Sequence, residues 1–332
     1  MKISKKLFLS FKIILTGTLI IFLLKRLNLG NVFSIIIQVN WHYLVLAAIL
    51  FFLILLIQSY RWQCLLGVHG IKIGLVRLIR LTFIGFFFNN FLPSTVGGDV
   101  VKGYLVSKAT KKTAESYVSV LMDRIIGIVG LFFLGFMVLF FIPELKSNQT
   151  LMYLLWGGFT VSFLLIAFFV LGRKFWMKRL GFLKRILKKL KIEGLIEKIA
   201  GAFSTYRRHR GVLIKTVLMS TLVHLFFIAV NFTIVKGFSL PQKIPFIDFF
   251  IYTPTIALIS CVPISVNGLG LRENLYVEFF SRSLGKNFAG SLSIIFLIFL
   301  WAAGFIGGIF YLFSHLKSNV IGTIKEKGKV SL

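Results

Sequence analysis

Leu75-Val-Arg-Leu-Ile-Arg-Leu-Thr-Phe-Ile-Gly-Phe-Phe-Phe-Asn-Asn-Phe-Leu92 runs into Pro93, and Phe246-Ile-Asp-Phe-Phe-Ile-Tyr-Thr-Pro-Thr-Ile-Ala-Leu-Ile-Ser-Cys-Val-Pro-Ile-Ser265 carries Pro254 and Pro263. Both stretches are apolar enough to enter a bilayer. Neither reads as an ordinary spanning helix, because the first carries Arg77 and Arg80 and the second is interrupted by proline, which removes a backbone donor. How they are read decides how often the chain crosses a membrane.

Around them the pattern is plainer. A hydrocarbon core of about 30 Å takes roughly 20 apolar residues per spanning helix. Six runs come near that length: Leu7 to Leu24, Tyr43 to Gln58, Tyr117 to Ile142, Leu151 to Leu171, Val212 to Val235 and Phe288 to Phe313. With 57% apolar residues, a mean hydropathy of +0.90 and 38 Phe in 332 residues, a water-soluble fold is excluded. The first run follows Lys2, Lys5 and Lys6 as a signal peptide would, but it meets Lys25-Arg26 and no small-residue cleavage site, so it reads as an uncleaved span. The expected fold is all-α: a polytopic helical membrane protein of about eight hydrophobic segments, six full spans plus two re-entrant or broken helices.

The basic residues choose among topologies. With the N-terminus inside and both ambiguous segments returning to the side they entered, residues 1–6, 61–116, 172–211 and 314–332 are cytoplasmic and hold 28 Lys and Arg, against eight outside. Letting both segments cross would put the 13 basic residues of 172–211 outside, against the positive-inside rule. Both termini are therefore expected in the cytoplasm and the protein in the cell (plasma or inner) membrane. The net charge of +29 lies in loops between spans, which points to anionic lipid headgroups and not to nucleic acid. Arg173 to Arg210 has an apolar stripe with a basic face, suited either to lying along the inner leaflet or simply to anchoring orientation. The organisation is one integral membrane domain, 1–332, with halves at about 43–142 and 212–313, the basic segment 173–211 between them and a short tail, 314–332.

The two halves align. Leu92-Pro-Ser-Thr-Val-Gly-Gly-Asp-Val-Val-Lys102 matches Val262-Pro-Ile-Ser-Val-Asn-Gly-Leu-Gly-Leu-Arg272 without gaps at an offset of 170. Each copy ends a proline-closed apolar segment and precedes a short polar helix and a span, an internal repeat that this topology makes inverted. Non-helical backbone at membrane depth needs protein or a water-filled cavity to satisfy it, so the two glycine loops predict a polar cavity. Gly97 and Gly98, the following helix N-terminus and Lys102 form a plausible phosphate cradle. Asn267, Gly268, Gly270 and Arg272 repeat the set, with an arginine able to grip phosphate through two parallel bonds. Asp99 reads either as part of that site or as an N-cap for a helix from Val100. Asp123 and Arg124 need partners or water where they enter the membrane, and Arg124 could pair with Asp99 or with a lipid phosphate. Glu273 either balances Arg272 or caps the helix.

Cys64 and Cys261 have neither disulfide nor metal-ligand spacing, the five histidines are scattered, and no nucleotide loop, Ser-His-Asp set or catalytic carboxylate pair appears. No cofactor, metal or catalytic residue is expected.

Three stretches, Asn90-Phe-Leu-Pro-Ser-Thr-Val-Gly-Gly-Asp-Val-Val-Lys-Gly-Tyr104, Ser119-Val-Leu-Met-Asp-Arg-Ile-Ile-Gly127 and Val262-Pro-Ile-Ser-Val-Asn-Gly-Leu-Gly-Leu-Arg-Glu273, resemble the lysylphosphatidylglycerol synthase transmembrane family, also called the flippase-like domain family. The resemblance covers essentially the whole chain. It implies importance for Gly97, Gly98, Asp99, Asp123, Arg124, Asn267, Gly268, Gly270, Arg272 and Glu273. In well-known members this region precedes a cytoplasmic aminoacyl-transferase domain and is implicated in moving the aminoacylated lipid between leaflets. This sequence ends at Leu332 without such a domain, so only the lipid-handling role is carried over as an expectation. A flippase-like handler of anionic or aminoacylated phospholipids leads. A membrane-embedded transferase or accessory subunit, and a scaffold that docks a separate cytoplasmic enzyme, are the alternatives.

Overall fold

The computed structural model describes residues 2–92, 97–141, 160, 201–240, 244–260 and 264–327. Among them every regular element is helical. Helices α1 (Lys2–Arg26) and α2 (Leu29–Gln38) are followed by α3 (Trp41–Gly67), α4 (Leu75–Phe91), α5 (Gly97–Thr110) and α6 (Thr113–Phe141). After a short helical stretch at 201–207 come α7 (Arg210–Lys236), α8 (Phe246–Ser260), α9 (Leu271–Leu284) and α10 (Lys286–Lys327). Helices satisfy their backbone groups internally, which sequences this apolar require in lipid. Ile13, Ile14, Val45, Ile49, Ile214, Leu218, Phe305 and Leu312 face outward, a surface that lipid tails cover and water would not. The protein is a multi-pass membrane protein.

Four helices are long and apolar enough to cross: α3, α6 over Thr113–Gly135, α7, and α10 over Lys286–Phe313. A fifth crossing needs α1 and α2 together, and these are bent by 81°. The run Leu7 to Leu24, expected as a simple span, is thus the first arm of a broken pair. Asn28 makes the corner by accepting from the Asn31 N–H at 3.2 Å, while Arg26 pairs with Glu278 at 2.8 Å and the Asn28 N–H reaches Asn287 at 3.3 Å. The run Leu151 to Leu171 and most of the basic segment, 173–200, lie outside the described residues.

The two segments that carry proline are both helical hairpins. In the first, Gly85 of α4 touches Gly98 and Lys102 of α5, and Leu81 and Ile84 pack with Val106, so α5 runs back along α4. In the second, Phe249 stacks near Phe280 and Asp248 accepts from the Ser283 hydroxyl, so α9 runs back along α8. Helices α3 and α7, which lead into the hairpins, are antiparallel: Lys215 bonds to Tyr60 at one end, and the Asn40 N–H donates to the Gly237 carbonyl at the other, at 3.0 Å. The hairpins therefore enter from opposite ends, and their tips meet where Asn267 donates to Asn90 at 2.9 Å.

Their outer packing differs. Helix α4 lies tightly on α10 because the latter presents Gly304, Gly307 and Gly308; a Cβ built at Gly307 would fall 1.9 Å from the Phe83 carbonyl. Small residues that let backbones approach are how helices associate where lipid offers no hydrophobic drive. Asn90 sits beside Gly304 and donates to the Leu300 carbonyl at 3.3 Å. Among the described residues no such glycine seam joins α8 to a neighbouring helix. Between α3, α7 and α10 the core is aromatic, with Phe51 meeting Phe86, Phe296 and Phe299.

Candidate functional site

At the first tip, the sequence starts α5 at Gly97, so Asp99 falls inside the first turn, where a carboxylate favours the positive helix end, and is not the N-cap of a helix from Val100. The close approach that Gly98 permits is taken by α4: a Cβ there would lie 2.0 Å from the Gly85 carbonyl oxygen. The Gly98 N–H donates to the Asn89 side chain at 2.8 Å, and Gly97 is closed over by Leu92. Lys102 is buried, its ammonium 4.5 Å from the centre of the Trp62 ring and 3.6 Å from Asp99. Trp62 is held in turn by its indole N–H on Ser119 at 3.1 Å.

Asp99 also receives Arg124. One residue earlier, Asp123 receives Arg61 of α3 at 2.7 Å, with side chains 13% and 6% exposed. Charges this far from water are tolerated only when paired, since each costs several kcal/mol to desolvate. Among the described residues, two carboxylates thus stand among three cations in the cluster formed by α3, α5 and α6.

The second tip is built differently, from a stretch that repeats Val96, Gly98 and Lys102 as Val266, Gly268 and Arg272 but sets Asn267 opposite Gly97 and Gly270 opposite Val100. Val266–Gly268 forms a single 3-10 turn, and Asn267, Gly268 and Gly270 have φ of 50°, 76° and 75°. These are left-handed conformations, which cost a side chain other than glycine or asparagine about 1–2 kcal/mol. Glu273 does both things open to it: one oxygen accepts the Gly270 N–H at 2.7 Å, and the other holds Arg272 at 2.8 and 3.2 Å. Asn274 ties this turn to α1 through the Leu19 carbonyl, and Thr16 accepts the Val266 N–H.

Arg272 also lines a cavity of about 180 Å³ among α7, α8, α9 and α10. Its polar wall is His224, Asn231, Thr253, Ser260 and Tyr276; Phe227, Ile256, Phe296 and Leu300 supply much of the rest. The Tyr276 hydroxyl donates to Asn231 at 2.8 Å and His224 bonds to the Gly127 carbonyl at 3.0 Å. The Thr253 and Ser260 hydroxyls are buried and meet no partner among the described residues. At about 30 Å³ per liquid water the space holds roughly six waters, or one group the size of a phosphate with its ester carbons.

One wall of the cavity lies near the first cluster. A Cβ built at Gly127, whose carbonyl holds His224, would lie 4.0 Å from the Arg61 guanidinium. Gly127 thus stands between Arg61 of the first cluster and His224, which shares the cavity wall with Arg272. Of the residues singled out from sequence, Asp99, Lys102 and Arg124 form one cluster with Asp123 beside them; Gly268, Gly270, Arg272 and Glu273 surround the second tip; Asn267 joins the tips. Sequence reasoning missed Arg61, Asn89, Asn231, Thr253, Ser260 and Tyr276. Arg61 had a signal: it is a cation three residues past an apolar run, with an unassigned carboxylate in another run to meet.

Residues 8–308 match the family described as the lysylphosphatidylglycerol synthase TM region. Among curated proteins, a UPF0104 membrane protein of Pyrococcus horikoshii is 25% identical over 331 residues, covering 90% of this chain and 95% of the relative. A UPF0104 membrane protein of Methanothermobacter thermautotrophicus is 23% identical over 72% of this chain and 75% of its own. One of Methanocaldococcus jannaschii is 27% identical over 42% of each chain.

Proposed function

Because this chain belongs to the lysylphosphatidylglycerol synthase TM region family, we propose that it moves a phospholipid between leaflets, taking the headgroup into the cavity beside Arg272 while the acyl chains stay in the bilayer. The observation that carries this reading is the cavity: a largely apolar space whose wall holds Arg272, paired to Glu273, and two hydroxyls that meet no partner among the described residues, inside a helix bundle whose outer faces are apolar. An arginine fork and neutral donors suit a phosphodiester. The opposed hairpins support the reading as well, since the ends of broken helices at midplane are where transporters hold polar cargo. In this account the two halves are inverted repeats, both termini face the cytoplasm of a cell with this protein in its plasma or inner membrane, and the substrate is an anionic or aminoacylated phospholipid. The transferase alternative is weaker, because Asp99 and Asp123 are each engaged by an arginine, which disfavours a general base.

The test is transport in liposomes that carry fluorescent phosphatidylglycerol in both leaflets, with an external quencher. Purified protein is expected to raise the quenchable fraction above the outer-leaflet half. A fraction equal to that of protein-free liposomes contradicts the proposal.

A further inference from the structure

A second lipid-shaped feature lies away from the tips. Helices α4, α5 and α10 enclose an open groove of about 1000 Å³, at the upper end of the roughly 300–1,000 Å³ typical of small-molecule sites. Its floor is aliphatic and aromatic, with Leu81, Ile84, Val106 and Phe310 among the lining groups. Three cations stand on its walls: Arg77 and Arg80, one turn apart on α4, and Lys108 in the last turn of α5. All three are exposed, and among the described residues no acidic side chain lines the groove and none of the three meets a carboxylate. Arg80 rests over the Phe310 ring, at 6.0 Å.

Chemistry of this kind selects its occupant. A bare acyl chain fits the floor but leaves three cations uncompensated beside apolar helices, which is costly near hydrocarbon. A zwitterionic lipid brings its own cation to the same wall. We propose that the groove docks one anionic phospholipid from the leaflet beside the start of α4, its phosphodiester among Arg77, Arg80 and Lys108 and an acyl chain along Ile84 and Phe310. Arginine pairs with a phosphate through its planar fork, and lysine adds a point charge. The groove is separate from the cavity at Arg272: the two share no lining residue. The inference stands whether or not the protein moves lipid.

The experiment uses the full chain in nanodiscs of mixed phosphatidylglycerol and phosphatidylcholine, extracted mildly and weighed by native mass spectrometry. Wild-type protein is expected to retain phosphatidylglycerol over phosphatidylcholine. Replacing all three cations (Arg77→Gln, Arg80→Gln, Lys108→Gln) should lower that preference by at least about tenfold, given about fivefold per basic residue near an anionic surface. Ala109→Phe, which fills the groove without changing charge, should lower it too, while Lys25→Gln at the end of α1 with Arg282→Gln in the last turn of α9, both away from the groove, should not. Equal retention of the two lipids by wild type, or a preference unmoved in both groove variants, overturns the proposal. Running the leaflet assay on the same samples separates the two readings: retention without transport refutes the translocator and keeps the groove, and transport without selective retention does the reverse.

Discussion

The two glycine tips have matching sequences and opposite uses. At the first, Gly98 lets α5 press against α4, its N–H is taken by Asn89, and Lys102 is sealed between Trp62 and Asp99. At the second, glycines with positive φ turn the chain so that Arg272 lines a cavity, with nothing nearer to a Cβ at Gly268 than 3.8 Å. Gly270 is itself pressed on α1, where a Cβ would lie 2.7 Å from Leu19, so the contrast rests on the aligned pair Gly98 and Gly268: the first packs against backbone, and the second has space beside it. What differs is the neighbour: α4 is pinned by the glycine seam of α10, and no such seam meets α8 among the described residues.

The comparison breaks most easily at its buried charges. Asp123→Ala leaves Arg61 buried without its partner, and about 3–5 kcal/mol should be lost. Thermal unfolding in detergent checks this, and the double change Arg61→Leu with Asp123→Leu should recover much of it. If the single variant is as stable as wild type, the pair does not hold the first cluster together.

Next in size is the glycine contrast. Gly98→Ala forces a methyl onto a backbone carbonyl and should cost up to about 3 kcal/mol, as overpacking does. Gly268→Ala has room and bears only the left-handed penalty of about 1–2 kcal/mol. Paired melting curves decide the matter, and a costlier Gly268→Ala would reverse the assignment of packed and open tips.

A functional contrast sharpens it further. Arg272→Lys keeps a charge for Glu273 and loses the planar fork, so lipid movement should fall about tenfold, worth about 1.4 kcal/mol, with little change in folding. Lys102→Gln should do the reverse, lowering stability through the lost Trp62 contact and leaving transport near wild type. Rates and melting temperatures on the same preparations separate the two.

The smallest effect lies between α3 and α4. His69 packs edge-on against Tyr206 at 4.8 Å, and burial holds its pKa below the usual 6.5. The folded state prefers the neutral ring, so that stability is full above pH 6.5 and is lost as pH falls through it toward the lowered value. A modest fall in melting temperature between pH 7.5 and 5.5, absent in His69→Gln, is expected; an identical fall in the variant would place the titration elsewhere.

Composition made the membrane class legible, and hydropathy found the runs that became α3, α6, α7 and α10. The corner at Asn28 was not legible, because partners more than 250 positions away, Glu278 and Asn287, hold it. The pairing of Arg124 with Asp99 could be read as one option from charge alone, but Arg61 could not be assigned, since only the crossing of α3 and α6 selects Asp123 for it. The broken backbone led to the expectation of a polar cavity, whereas the space beside Arg272 is walled mostly by apolar groups from four helices, which only tertiary packing brings together.

The central claim is that the space beside Arg272 carries the headgroup. Thr253→Phe reduces that space by roughly half without adding or removing charge, and its benzyl group can be buried against the neighbouring phenylalanines. With the protein folded and reconstituted as wild type is, leaflet exchange of labelled phosphatidylglycerol should fall by at least about tenfold, the equivalent of about 1.4 kcal/mol. Exchange at the wild-type rate would contradict the account.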